Sequence, residues 1–150
     1  MGLDMYLYLE KYESKFEDDE DFYPSEFAKL RKDVAKRNFL SKVTSYQVGY
    51  WRQARAIHKW FVSQTDVVLF NGDKIYISIE QLEDLLDRCN KILSNHDMAK
   101  ELLPLYVPAH GGVEFDEHYF YELQYTKELL EEVIEIAKKG DYEICYGADW

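Results

Sequence analysis

The sequence predicts an α+β fold, a single domain over residues 1–150 with a small mixed or antiparallel sheet packed with about four helices. Three observations carry that expectation. A chain of 150 residues supplies one core and is too short for two. Period-two segments stand near both ends, with segments of helical three-to-four spacing between them. No internal repeat or linker divides the chain, which holds 7 Gly and 3 Pro.

The elements follow in order. Leu3, Met5, Leu7 and Leu9 alternate with Asp4, Tyr6, Tyr8 and Glu10, the pattern of a half-buried strand. The acidic run 17–21 reads as a solvated loop. Pro24-Ser25-Glu26 opens a helix to about Asn38, with Phe27, Leu30 and Val34 spaced three to four apart. Lys42 to Tyr50, rich in Val, Thr and Tyr, reads as a second strand ended by Gly49. Trp51 to about Gln64 reads as a helix, with Trp51, Ala54, Ile57, Phe61 and Val62 on one stripe.

Val67 to Phe70 and Lys74 to Ile77 flank Asn71-Gly72, a hairpin signal. Ser78 and Gln81 form a capping-box pattern for a helix to about Leu93. A short helix from Asp97 to Leu103 stops at Pro104, and 105–114 is the most irregular loop. Asp116 caps a long helix through Lys139, with Phe120, Leu123, Leu130, Val133 and Ile134 facing inward and Gly140 as its stop. Asp141 to Trp150 reads as a last strand. The first and last strands are expected to pair, which ties down segments that otherwise fray.

Composition narrows the function classes. Lys and Arg number 18 against 29 Asp and Glu, a net charge of −11, which argues against nucleic-acid and membrane-surface binding. The opening residues have no basic stretch before an apolar run, and no apolar segment is long enough to span a membrane, so a cytoplasmic location is expected. Position 6 is Tyr, which breaks a myristoylation pattern at Gly2. Cys89 and Cys145, far apart, read as buried reduced thiols. With 13 Tyr, 8 Phe and 3 Trp, the chain holds more ring surface than its core requires, so some of it is expected to face a ligand or partner. Exposed rings and a terminal strand also suit a homodimer.

The distribution of charge says more than its total. Residues 29–65 contain nine bases and one acid, Asp33, a local charge of +8 inside an anionic protein. The cluster from Lys29 to Lys42 reads as a solvated face. On a helix beginning at Trp51, Arg52, Arg55 and Lys59 fall at i, i+3 and i+7, on one side, with His58 at its edge. No acid lies between Val43 and Thr65 to offset them. Tyr50, Trp51 and Trp60 flank that face. Cations that hold phosphates beside rings that stack on a base suit a small phosphorylated nucleotide, and the start of the helix adds backbone N–H donors. A face salt-bridged to the acidic remainder is the competing structural reading.

Several blocks also resemble a known family. The opening Met1-Gly2-Leu3-Asp4-Met5-Tyr6-Leu7, the block Tyr50-Trp51-Arg52-Gln53-Ala54-Arg55-Ala56-Ile57-His58-Lys59-Trp60-Phe61-Val62, the block Phe115-Asp116-Glu117-His118-Tyr119-Phe120 and the final Trp150 resemble a family of small phage and prophage proteins. The resemblance runs in order through most of the chain. Arg55 departs from the family pattern, which has Asn there, so no amide-specific contact is expected at that position. Small phage proteins of this size include sponges that sequester nucleotide signals of bacterial defence, and the resemblance implies that class by analogy.

Other chemistry remains open. His110, Asp116, Glu117 and His118 cluster before the last helix without a metal-binding spacing, and Asp116 is explained as a cap, yet a metal-dependent nucleotide phosphodiesterase is one alternative. An acidic interaction protein that mimics nucleic acid is another. The expected function is sequestration, without catalysis, of an ADP-ribose-like or cyclic nucleotide, with no cofactor and no metal. Tyr50 or Trp51 would stack on the base and Arg52, Arg55 and Lys59 would neutralise phosphates. His58 would donate a hydrogen bond. Tyr119 and the 105–114 loop would close over the ligand, and Asp4 would orient an arginine.

Overall fold

A computed structural model describes residues 2–14, 24–27, 41–105 and 115–150. Its four strands form one antiparallel sheet in the order β2-β1-β4-β3. They are β1 (Asp4–Ser14), β2 (Ser41–Arg52), β3 (Lys74–Ile77) and β4 (Glu143–Asp149). The helices are α1 (Arg55–Ser63), α2 (Ile79–Ser94), the single turn α3 (Ala99–Leu102) and α4 (Glu117–Lys139), with 3-10 turns at Ser25–Phe27 and His96–Met98. The α+β class, the small sheet and the pairing of the first and last strands are as the sequence predicts. The helix expected over 24–38 and the acidic run 17–21 lie largely outside the described residues, as does most of the 105–114 loop.

Strand alternation gives the sheet two chemically different faces. Met5, Leu7 and Leu9 on β1 share one face with Trp51 on β2, Ile75 and Ile77 on β3, and Ile144, Tyr146 and Ala148 on β4. All of these are buried in a single core with α1, α2 and α4. The opposite face carries Tyr6, Tyr8, Glu10 and Tyr12 of β1, Tyr50 of β2 and Tyr76 of β3. Tyr12, Tyr50 and Tyr76 are exposed there.

The local signals at α2 and α4 act as expected. Ser78 accepts from the Gln81 backbone N–H, and the Gln81 side chain accepts from the Ser78 N–H, closing the capping box. Asp116 accepts from the Tyr119 N–H at 3.0 Å and starts α4, which stops at Gly140. Within α4, Tyr119 rather than Phe120 is the fully inward ring, and Phe120 stacks on His96 at 3.8 Å.

Three segments differ from expectation. First, β2 continues through Trp51 and Arg52, and α1 begins only at Arg55. Trp51 pairs with Met5 in the ladder, and its indole enters the core, 1% exposed. There its Nε1–H donates to Thr126 Oγ1 at 2.8 Å, while the Thr126 hydroxyl donates to the Glu122 carbonyl. A buried indole that satisfies its one donor outweighs the weak helical preference of the segment.

Second, Gly49 lies inside β2 instead of ending it. A Cβ there would meet Leu129 Cδ2 at 2.6 Å and Leu7 Cβ at 3.2 Å, so the Leu129 side chain of α4 packs into the space that glycine leaves on the strand. Third, the turn at Asn71-Gly72 forms, with the Asp73 N–H donating to the Phe70 carbonyl and Gly72 at φ +86, but the hairpin does not. Val67 and Val68 are 63% and 69% exposed, and β3 pairs with β4, burying Ile75 and Ile77. The turn clamps the end of β4 instead. Asn71 donates to the Trp150 carbonyl and accepts its N–H, while Gly72 N–H donates to Asp149.

Trp51→Phe removes both the indole donor and part of the ring volume beneath α4. Its expected cost is about 2–4 kcal/mol, combining an underpacked core site with a lost buried hydrogen bond. Urea denaturation would show this as a lower midpoint at unchanged slope.

Candidate functional site

The passage from β2 to α1 decides where the cations point. Gln53 takes a left-handed conformation, φ +60, and its N–H donates to the Leu3 carbonyl at 2.8 Å. Ala54 follows in a tight turn, φ −78 and ψ 69, closed by the Arg55 N–H donating to the Gln53 carbonyl. A non-glycine residue held at positive φ costs of order 1–3 kcal/mol and needs firm surroundings to persist. Ala54, at the N-cap of α1, supplies no side-chain cap, and the first turn of the helix holds no acid.

This turn separates the arginines that the sequence groups together. Arg52, still on β2, shares the open tyrosine face with Tyr50, whereas Arg55 and Lys59 stand one turn apart on α1. The i, i+3, i+7 cluster is therefore reduced to an i, i+4 pair. Tyr50 donates from its hydroxyl to Asp4 Oδ1 at 2.6 Å, and that bond raises the phenol's proton affinity. Asp4 thus orients a tyrosine, not an arginine. Trp51 is in the core and presents no ring to a ligand. Tyr119 is also buried, with its hydroxyl donating to the Leu103 carbonyl at 2.8 Å, so it forms a wall and not a lid.

Arg55, His58, Lys59 and Val62 follow one another down a single side of α1 and line a cleft of about 440 Å³. Its other walls are Gly2, Leu3, Gln53 and Trp150. Arg55 reaches the Gln53 amide oxygen at 3.5 Å. Among the described residues, neither Arg55 nor Lys59 has a carboxylate within ion-pair distance, although the chain carries 29 acids.

Trp150 is the ring that sequence reasoning about the site leaves out. It is 46% exposed and meets His58 edge-on at 5.8 Å between centroids. Its place depends on β4 running alongside β1 and on the Asn71 clamp, and neither is a local signal. His58 is anchored beneath it, with Nδ1 2.6 Å from the Tyr146 hydroxyl. Burial lowers its pKa, which keeps the ring neutral near pH 7, and burial raises that of Tyr146.

A second, smaller cavity of about 130 Å³ adjoins the start of α1. Gln53 and Arg55 line it too, facing Asp116, His118 and Glu122 across walls that include Leu105, Tyr119 and Leu123. Burial raises the Glu122 pKa, and His118, 3.8 Å away, opposes that shift. Among the described residues no group of three or more His, Cys, Asp or Glu side chains is placed to hold a metal ion, and His110 lies outside them. Both thiols, Cys89 and Cys145, are buried, with pKa values pushed up to about 12. Among the described residues no helix is long and apolar enough to cross a membrane.

His58 gives the site a pH signature. Its folded pKa lies below the unfolded value of 6.5, so the unfolded chain takes up the proton more readily. Stability is therefore full above pH 6.5 and falls as pH drops towards the folded pKa. Glu122, with a raised pKa, acts in the opposite sense, so comparison of two chains isolates the histidine. His58→Gln is expected to flatten the decline in urea midpoint between about pH 6.5 and 5 relative to the parent. No family model, curated protein or solved structure matches this chain.

Proposed function

We propose that this protein binds and sequesters a small phosphorylated nucleotide in the α1 cleft, without turning it over, as a phage-type counter to nucleotide-signalled bacterial defence. The observation that carries the reading is the pair Arg55 and Lys59. In a chain of net charge −11, two cations one turn apart face a cleft with no carboxylate partner among the described residues. Both side chains are exposed, so they stand open to an anion that enters the cleft.

Trp150 offers an exposed indole for a base, replacing the expected Tyr50 or Trp51. With its Nδ1 bonded to the Tyr146 hydroxyl, a neutral His58 retains Nε2 for a ligand bond. Support for holding over cleaving comes from the lining itself. Among the described residues that line the cleft there is no carboxylate, thiol or hydroxyl, and His58, the imidazole there, has its Nδ1 engaged by the Tyr146 hydroxyl. The phage setting comes from the family resemblance.

Titration calorimetry with adenine nucleotides tests the reading. Arg55→Ala and Lys59→Ala are each expected to weaken binding about tenfold to a hundredfold, the range for charge-assisted bonds. Arg52→Ala, on the other face of the sheet, is expected to leave affinity unchanged. Raising salt from about 50 to 200 mM shortens the Debye length from about 14 to 7 Å, yet partly enclosed pairs are expected to weaken only modestly. A loss above about a hundredfold would show a diffuse surface contact and overturn the cleft. The nucleotide recovered after heat denaturation is expected intact, and hydrolysis products would establish an enzyme.

A further inference from the structure

The two cavities share a wall. Gln53 and Arg55 line both the 440 Å³ cleft and the 130 Å³ cavity at the start of α1. Resting on the nucleotide reading, we propose that they are two compartments of one site and that its ligand is a nucleoside diphosphate sugar. The base lies against Trp150, the diphosphate sits at Arg55 and Lys59, and the terminal sugar occupies the smaller compartment.

The chemistry of the two lobes differs in the way this ligand requires. The larger has two cations, a neutral imidazole and an exposed indole. The smaller has Asp116 and Glu122, with His118 Nε2 3.8 Å from Glu122, and the two carboxylates accept hydrogen bonds from hydroxyls and disfavour a second phosphate group. Asp116 uses one oxygen on the Tyr119 N–H, leaving the other to accept. Apolar and ring surface from Leu105, Leu123 and Tyr119 completes the lobe, which suits the C–H faces of a pentose.

A mononucleotide leaves the smaller lobe empty. A cyclic dinucleotide, whose phosphates are closed into a ring with its sugars, has no free neutral polyol to place there. Arg55, at the divide, sees open volume on both sides, as a bridging diphosphate needs.

The test compares three probes on the full chain by calorimetry: ADP-ribose, ADP and a cyclic dinucleotide. ADP-ribose is expected to bind at least about tenfold more tightly than ADP, a gain of one or more hydrogen bonds to charged acceptors, and more tightly than the cyclic dinucleotide. Glu122→Gln is expected to remove most of that preference, lowering affinity for ADP-ribose but not for ADP. Leu105→Phe, which narrows the smaller lobe from its rim, serves the same comparison should Glu122→Gln fail to fold. Equal binding of ADP and ADP-ribose, tighter binding of the cyclic dinucleotide, or equal loss for ADP and ADP-ribose in these variants would overturn the two-compartment site while the nucleotide reading stands. If none of the three probes binds, that reading falls and this inference with it.

Discussion

The stack of Phe61 on Tyr146 holds the cleft together. The two rings lie 4.0 Å apart and within 6° of parallel, joining α1 to the sheet at β4. Trp51 meets Phe61 edge-on at 5.8 Å from the neighbouring side, so three aromatic rings from β2, α1 and β4 fix one point. Every functional group on α1 is measured from that point. Phe61 faces inward, and the 3.6-residue period then sends Arg55, His58 and Lys59 towards Trp150. The Tyr146 hydroxyl, at the end of the stacked ring, is also the anchor of His58. One buried tyrosine thus positions both the helix and its imidazole.

The left-handed Gln53 is the second constraint. Its backbone is bonded to Leu3 on one side and to Arg55 on the other, so the chain leaves β2 and enters α1 within two residues. A gentler connection would move the start of α1 away from the sheet and merge the two cavities with solvent. Strain at Gln53 and the absent side-chain cap on α1 both occur where the cavities meet. Strained backbone of this kind belongs where the surrounding structure has a use for it.

Much of the fold is legible from local chemistry. Ser78 with Gln81, Asp116 before a long amphipathic run, and the alternation from Leu3 to Glu10 need no distant partner to be understood. The β2–α1 boundary is not legible in the same way. Trp51, Ala54, Ile57 and Phe61 satisfy a helical spacing, although Trp51 is buried as a strand residue. Only the ladder with Met5 and the Thr126 bond choose between the two, and both lie far along the chain. The same limit governs the site. Arg55, His58 and Lys59 are adjacent in sequence and emerge together, whereas Trp150 joins them across 91 residues through the sheet. At Asn71-Gly72 the turn chemistry is local and visible, while the choice of β4 over Val67 to Phe70 as partner is tertiary.

The Asn71 clamp has a kinetic consequence. Two hydrogen bonds hold the Trp150 backbone, and the indole meets the His58 ring edge-on, so the point from which the indole projects is set in advance. Prior ordering of this kind lowers the entropy cost of capture and shows itself mainly in how slowly a guest departs. For a ligand stacked on Trp150 as proposed, residence time would depend on a turn outside the cleft lining. On that proposal, loosening the Asn71 turn from the end of β4 would shorten the residence time with every cleft-lining residue type unchanged.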